Sequence, residues 1–180
     1  MKLHFDKASD NPVDKFIWIP FGKTIVNLVG EDGSEAISML QNNLGVMLDY
    51  FGDYEGARVL VEKSLAFYEK NFGKDHPETA ILYSNLGLRL KNLGDYQGAR
   101  TLLEKAMASD EKNFGKDHPS TAIRYSNLAL VLQALGNYEG ALELSAKSIT
   151  IFRKALPAGH PNIKTVEEIY ESIKEKLEGK

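Results

Sequence analysis

The chain has 180 residues and a formal net charge of −3; it is 43% hydrophobic and 26% charged, and it contains no cysteine. These values are typical of a folded globular protein, and the scattered basic residues form no stripe that would bind a nucleic-acid backbone. No apolar run reaches the roughly 18 residues of a membrane span, and the lack of cysteine excludes disulfides, thiol catalysis and thiolate metal sites. We therefore expect a cytoplasmic protein that binds neither nucleic acid nor membrane.

The N-terminal residues 1–34 do not share the pattern of the rest of the chain. The apolar run at 16–19 could form a strand by itself, but Pro20 and Gly22 argue against a central strand. Apolar residues at helical spacing then favour a short helix: Ile25, Leu28 and Val29. Within residues 1–29 we predict a broken helical pair that packs on the first full repeat.

The sequence repeats itself with a period of 42 residues. The seven residues 71–77 return unchanged at 113–119, and a degraded third copy ends in Gly159-His160-Pro161. A second landmark keeps the same period: Gly52-Asp53-Tyr54, Gly94-Asp95-Tyr96 and Gly136-Asn137-Tyr138. A fixed period on this scale predicts a stack of supersecondary units rather than one globular core around a buried active site.

Each unit reads as two helices. In the second unit Pro77 suits the first helical position, with His76 or Asp75 as its cap, and Gly94 ends this helix because it can adopt a positive φ. Asp95 then caps a second helix that runs to about residue 113. The first helix (helix A) has an apolar stripe of Tyr83, Leu86, Leu90 and Leu93. The predicted buried stripe of the second helix (helix B) is Ala99, Leu102, Leu103, Ala106, Met107 and Phe114.

The same plan divides the whole chain. We predict repeats at 35–76, 77–118 and 119–160, preceded by the lead-in at 1–34. The last segment, 161–180, is a helix rich in Glu and Lys that ends near Leu177. A polar terminal helix is what a repeat array needs to cover its open end.

The pattern Tyr83-x-x-Leu86-Gly87-x-x-Leu90 followed by Ala99-x-x-x-Leu103 resembles the tetratricopeptide repeat. The 42-residue period, the Asn-Leu-Gly/Ala triplets and the Gly-Lys-Asp-His-Pro turns are similar to the kinesin-light-chain type of this repeat. The resemblance implies an all-α fold: a right-handed α-solenoid of antiparallel helix pairs with three full repeats between the lead-in and a C-terminal capping helix. It also implies a non-catalytic scaffold for a protein or peptide partner.

Three asparagines recur every 42 residues on helix A: Asn43, Asn85 and Asn127. An amide row suits the backbone of an extended peptide, and in kinesin-light-chain-like repeats the matching asparagines line the concave groove and contact the peptide. The alternative is that each asparagine bonds a neighbouring helix and sets the repeat spacing. The residues predicted to bind peptide with this row are Ser84, Ser126, Val46, Leu88, Leu130, Lys91 and Asn92.

Other candidate sites have simpler interpretations. Tetratricopeptide domains that clamp a C-terminal carboxylate carry Lys or Arg where this chain has Met39, Ile81 and Ile123, so that mode is disfavoured. Arg89 and Arg124 are out of phase with the clamp pattern, and we expect them to be solvated. The repeated His76, His118 and His160 are predicted to cap helices rather than bind metal. We predict no catalytic residue, no metal and no cofactor.

Two departures from the repeat pattern stand out. Ser145 replaces a bulky residue of helix B, which predicts looser packing in the third repeat. Gly56, Gly98 and Gly140 recur in the first turn of helix B, where glycine costs roughly 0.5–1 kcal/mol relative to alanine. Their recurrence suggests a close backbone crossing.

Two further interpretations of function stay open. The run at 19–26 resembles the helical lead-in before such repeats in some large signalling ATPases, which would make the array a ligand-sensing or autoregulatory C-terminal region of a longer protein. The array could also be a structural fragment that stacks on itself. We expect a monomer with weak end-to-end association through 1–30 or 161–180.

Overall fold

A computed structural model of the protein describes residue 24 and residues 34–179. Within 34–179 the chain forms seven α-helices and no strand. They are α1 (Glu35–Tyr50), α2 (Tyr54–Phe72), α3 (Pro77–Asn92), α4 (Tyr96–Phe114), α5 (Pro119–Ala134), α6 (Tyr138–Ala155) and α7 (Pro161–Leu177). The predicted all-α repeat fold is confirmed. The broken helical pair predicted in 1–29 lies outside the described residues, apart from Thr24.

The helices pack as consecutive antiparallel pairs, α1 with α2, α3 with α4 and α5 with α6, and each pair also packs on the next. Helix α3 contacts α5, and α5 contacts α7, so neighbouring A helices touch across the repeats. No B helix (α2, α4, α6) has a comparable contact with another B helix in this part of the chain. The A helices therefore lie on the inner side of the curved stack.

Histidine is the N-cap residue of three helices, α3, α5 and α7. Nδ1 of His76 accepts a hydrogen bond from the backbone N–H of Glu78 at 3.2 Å, and the same cap recurs at His118 and His160. Proline follows each histidine at the first helical position. The capping prediction is confirmed with His76 rather than Asp75 as the cap, because the Asp75 carboxylate instead pairs with Lys112 on α4.

Glycine recurs in the first turn of helix B because the side chain of the N-cap residue leaves no room for a Cβ. The predicted close backbone crossing at these glycines is therefore wrong. The Asp95 carboxylate accepts a hydrogen bond from the Gly98 N–H at 2.9 Å, and a Cβ at Gly98 would collide with that carboxylate. Gly56 and Gly140 stand in the same relation to their caps. The close helix approach is elsewhere: a Cβ at Gly87 would lie 2.9 Å from Cγ of Leu103.

One further packing prediction needs correction. Phe114 is exposed rather than buried, because it is the last residue of α4 and its ring stacks on the His118 cap with centroids 4.9 Å apart. Ser145 is fully buried, and its hydroxyl donates to the Ala141 carbonyl at 2.8 Å. Ala129 occupies the position that Gly87 holds one repeat earlier, where Gly87 faces Leu103, the residue equivalent to Ser145.

Candidate functional site

The A helices present three equivalent sets of side chains on the inner side of the stack. We call this surface the inner face and define it by three residues on each of α1, α3 and α5: Met39, Asn43 and Val46; Ile81, Asn85 and Leu88; Ile123, Asn127 and Leu130. These positions are spaced by four and three residues, so each set lies on one side of its helix. The repeated packing of the pairs places the three sets in a row.

The amide row is partly used by the fold itself. Nδ2 of Asn85 donates to Oδ1 of Asn42 on α1 at 3.1 Å, and Nδ2 of Asn127 donates to Oγ of Ser84 on α3 at 3.0 Å. Each hydrogen bond joins one A helix to the previous one, so these two asparagines do contribute to repeat spacing. An asparagine amide has two donors and an acceptor, and both side chains stay half-exposed, which leaves capacity for a ligand.

The other predicted site residues differ in how far they are exposed. Ser84 and Ser126 are buried, so neither offers its hydroxyl freely at the surface; Oγ of Ser126 donates to the Ile123 carbonyl of its own helix at 2.9 Å. Val46, Leu88 and Leu130 lie on the inner face, with Val46 exposed and the two leucines half-buried. Near the end of α3, Lys91 is half-buried and Asn92 is exposed.

Helix α1 exposes the most apolar surface of the three. Met39 is 53% exposed, Val46 is 50% exposed and Tyr50, one turn beyond Val46, is 76% exposed. Asn43 lies between Met39 and Val46 and is also exposed. Isolated apolar side chains on a surface are ordinary, but a row along one helix face is of the kind that marks interaction sites. Ile123, the position equivalent to Met39 on α5, is 40% exposed.

Arg89 is buried, which corrects the expectation that it is solvated. Its side chain is 2% exposed, and its Nη2 lies 3.1 Å from Oδ2 of Asp49 on α1. Burial lowers the pKa of Arg89 and raises the pKa of Asp49, and their mutual attraction opposes both shifts. The sequence contains a signal for this burial that was missed: the positions 42 residues before and after Arg89 hold the apolar Met47 and Val131.

Arg124 is buried as well and pairs with Asp110 on α4, Nε to Oδ2 at 2.8 Å. Asp110 is 1% exposed. We call the contact between one repeat and the next a junction, and this pair lies in the second junction, between α4 and α5. The equivalent positions hold Tyr68 and Leu82 in the first junction, and Phe152 and Val166 in the third, between α6 and α7. Both arginines therefore replace apolar residues at contacts between repeats, and neither lies at the surface as a carboxylate clamp would require.

Tyrosine–glutamate hydrogen bonds also join successive repeats. The Tyr83 hydroxyl donates to Glu69, and the Tyr125 hydroxyl donates to Oε1 of Glu111 at 2.6 Å. Burial raises the pKa of both tyrosines, and the carboxylate partners raise it further. At the third junction Arg153 and Glu167 occupy the equivalent positions and form an ion pair. These links hold neighbouring helices together.

A cavity of about 120 Å³ opens between α1, α2 and α3, beside the inner face. Its lining residues are Met39, Asn42, Asn43, Ser64, Tyr68, Glu78 and Leu82. Sequence reasoning singled out Met39 and Asn43 but not Asn42, Ser64 or Glu78, because each of these is polar at a position that changes from repeat to repeat.

The same part of the chain has neither a metal site nor a membrane span. Residue 24 and residues 34–179 contain no group of three or more His, Asp or Glu side chains arranged to hold a metal ion. None of the helices described is both long enough and apolar enough to cross a membrane.

Comparison with solved structures identifies helical repeat proteins with the same architecture. The crystal structure of a variant of a putative kinesin light chain from Podosopora anserina, with nearly identical TPR-like repeats, matches at TM-score 0.77 and 21% identity over 93% of this chain and 80% of that one. BtubC (BKLC) from P. vanneervenii matches at TM-score 0.77 and 16% identity, over 92% and 67%. The Sgt2 TPR domain from Aspergillus fumigatus matches at TM-score 0.59 and 20% identity, over 78% and 79%. At these identities the likeness concerns the fold.

Comparison of sequences gives the family. No protein of curated function matches significantly. The family model "Tetratricopeptide repeat" matches residues 35–112 and 90–154, which together make up more than half of the chain. The predicted resemblance to the tetratricopeptide repeat is confirmed, and the kinesin-light-chain-like neighbours share its fold. The chain belongs to the tetratricopeptide repeat family, whose members are generally non-catalytic protein-interaction scaffolds.

Proposed function

We propose that the protein binds a segment of a protein partner on its inner face, in an extended or helical conformation, with no bond made or broken. The observation that carries this proposal is the exposed apolar row on α1, where Met39 and Val46 lie on either side of Asn43. Apolar side chains provide contact area, and an exposed amide can donate to and accept from a peptide backbone.

The amide row supports the same proposal. Asn85 and Asn127 are each held by a hydrogen bond to the preceding A helix, so their side chains are already oriented before a ligand arrives. A side chain that is ordered in advance loses less conformational entropy on binding. We therefore propose that these asparagines combine the two roles that the sequence left open, repeat spacing and peptide contact.

The central positions of the inner face carry no formal charge, since they hold only Met, Ile, Val, Leu and Asn. A partner segment that lies along it would therefore be mostly apolar at the side chains that point into the groove. Ser84 is proposed to act through Asn127, which it holds by a hydrogen bond, whereas Ser126 bonds its own helix. Leu88, Leu130, Lys91 and Asn92 would contact the segment directly.

The test uses a matched pair of valines. Val46 on the inner face is 50% exposed, and Val59 on α2, outside it, is 44% exposed. Peptides selected from a random display library against the wild-type protein should bind Val46→Asp at least tenfold more weakly, because a carboxylate would be buried under the peptide. The affinity for Val59→Asp should stay within twofold, as measured by fluorescence anisotropy.

Asn43→Ala gives a second measurement at a side chain that is exposed in the free protein. We expect weaker peptide binding and a melting temperature within a few degrees of wild type. Equal affinity of the wild type and Val46→Asp for every selected peptide would contradict the assignment of the inner face.

A further inference from the structure

The cavity at the junction of the first two repeats has an exposed mouth and a buried floor. Met39, Asn43 and Glu78 are not buried and border its opening, whereas Ser64, Tyr68 and Leu82 are buried. Its volume of about 120 Å³ is several times the roughly 10–15 Å³ that one water molecule needs. The cavity therefore has room for the end of a long side chain.

One polar atom at the floor lacks a partner. Oγ of Ser64 is inaccessible to solvent and makes no hydrogen bond within the described residues. The equivalent serine two repeats later, Ser148, donates to the Ala122 carbonyl at 2.8 Å. A buried hydroxyl is normally satisfied, so the floor of this cavity has hydrogen-bonding capacity that the fold does not use.

The next junction of the array shows which group fits this environment. One period after Leu82 the chain has Arg124, and one period after Tyr68 it has Asp110, so the guanidinium of Arg124 enters the second junction from α5 and is buried there. The third junction has the apolar Phe152 and Val166 at these positions. At these two positions the first junction has Leu82 and Tyr68, and both line the cavity.

The charges around the cavity favour a cation. Glu78 lies at the mouth, and none of the described lining residues is basic. A second carboxylate, Glu35, accepts a hydrogen bond from the Tyr68 hydroxyl at 3.4 Å. A guanidinium carries five N–H donors and could reach Ser64 Oγ, the amide oxygen of Asn43 and the Glu78 carboxylate. Met39 and Leu82 would contact its methylene stem, whereas a ligand carboxylate would be repelled.

We propose that this cavity is a subsite for an arginine side chain of the segment bound on the inner face. The inference rests on the proposed function and adds one requirement to it: an otherwise apolar partner segment carries an arginine where it passes Asn43. The side chain enters between α1 and α3, its stem packs on Met39 and Leu82, and its guanidinium satisfies Ser64.

The first test uses small probes and does not depend on finding a partner. N-acetyl-argininamide is compared with N-acetyl-citrullinamide, which has nearly the same shape without the charge, by two-dimensional NMR of the labelled protein. We expect saturable shifts at Asn42, Ser64 and Tyr68 with the arginine probe in the millimolar range, and at least fivefold weaker binding of the citrulline probe. Equal binding of both probes, or shifts from the arginine probe only elsewhere, would overturn the proposal.

Variants then assign the contacts. Glu78→Gln should weaken the arginine probe at least threefold, while Glu171→Gln, at an exposed position on α7, should leave it unchanged. Ser64→Ala should also weaken binding without loss of stability, because alanine is the natural residue at the equivalent position 106. Unchanged binding in both Glu78→Gln and Ser64→Ala would refute the subsite.

A filled cavity gives the opposite control. Tyr68→Asp combined with Leu82→Arg reproduces the residues of the second junction, and this double variant should fold and no longer bind the arginine probe. Peptides selected on the inner face separate this inference from the proposed function. If Val46→Asp weakens them but replacing their arginine by citrulline changes nothing, the subsite is wrong and the inner face stands. If Val46→Asp has no effect on any of them, the proposed function itself fails.

Discussion

Single residues decide how each junction between repeats is held. The second junction has the buried pair of Asp110 and Arg124, and the A helices of the first two repeats are joined by Asp49 and Arg89. The sequence predicted solvated arginines because arginine is usually exposed, and that prediction was wrong. Comparing each position with its equivalents one period away would have given the right answer, since those equivalents are apolar and buried or half-buried.

The Asp110–Arg124 pair should be costly to break and cheap to replace. Arg124→Val alone leaves the Asp110 carboxylate buried without its partner, and we expect it to lower the free energy of unfolding by about 3–5 kcal/mol. Asp110→Phe with Arg124→Val reproduces the third junction and should recover most of that loss. Urea denaturation of the three proteins measures both effects. A cost below about 1 kcal/mol for Arg124→Val would contradict this account.

At the scale of helices, each repeat depends on the distance between helix A and helix B. Gly45 and Gly87 let α1 approach α2 and α3 approach α4, and the bulky Val61 and Leu103 lie against these glycines. In the third repeat both sizes change: Ala129 replaces the glycine, and the small Ser145 replaces the bulky residue. The pairing explains why a serine is tolerated at a fully buried position.

Because a larger residue at position 129 accompanies a smaller one at position 145, we expect substitutions at these two positions to have non-additive effects on the free energy of unfolding. Ser145→Leu in the wild-type background should cost about 1–3 kcal/mol through overpacking against the Ala129 methyl group. In an Ala129→Gly background the same leucine should cost less or stabilise, as Leu103 does beside Gly87. A double-mutant cycle measured by denaturation checks this, and additive effects of the two substitutions would show that they do not pack together.

At the scale of the whole molecule, the array is stabilised by contacts between neighbouring units. Helix α7 packs on α6 and contacts α5, and its Ile163 and Val166 complete a buried cluster with Tyr125 and Phe152. Each fully buried apolar side chain of this size contributes about 1.5–3 kcal/mol. The predicted capping helix is thus well placed to protect the third repeat, although the division at residue 161 is still a proposal.

Removal of 161–180 should therefore act locally. We expect the amide hydrogens of α5 and α6 to exchange faster, because these helices lose their contacts with α7. Helix α3 should keep most of its protection, because each unit of a repeat array is stabilised mainly by its nearest neighbours. Glu168→Ala, at an exposed position of α7, serves as the control. Equal loss of protection along 35–155 would instead indicate one cooperative unit.

The alternative functions also belong to the scale of the whole molecule. A sensor array of a larger ATPase predicts a longer native reading frame with a nucleotide domain, and a self-stacking fragment predicts concentration-dependent sedimentation that depends on 1–30 or 161–180. The cytoplasmic location and the monomeric state likewise remain expectations.

The sequence by itself determined the repeat, its family and most helix limits, because the caps and glycine turns act within a few residues of the chain. Helix α3 begins at Pro77 and α7 ends at Leu177, as the local signals predict. The row of Asn43, Asn85 and Asn127 could also be predicted from the sequence, because a 42-residue period places equivalent residues on one side of the stack.

Only the tertiary structure decided which polar groups face a ligand and which face another helix. It buried Arg89 and Arg124, turned one amide donor of Asn85 towards Asn42, and left Ser64 beside a cavity without a hydrogen bond to any described residue. These outcomes depend on which side chains meet across a junction 14 to 43 residues apart in sequence. Local sequence signals do not specify such meetings, because they are set by how whole helices pack together.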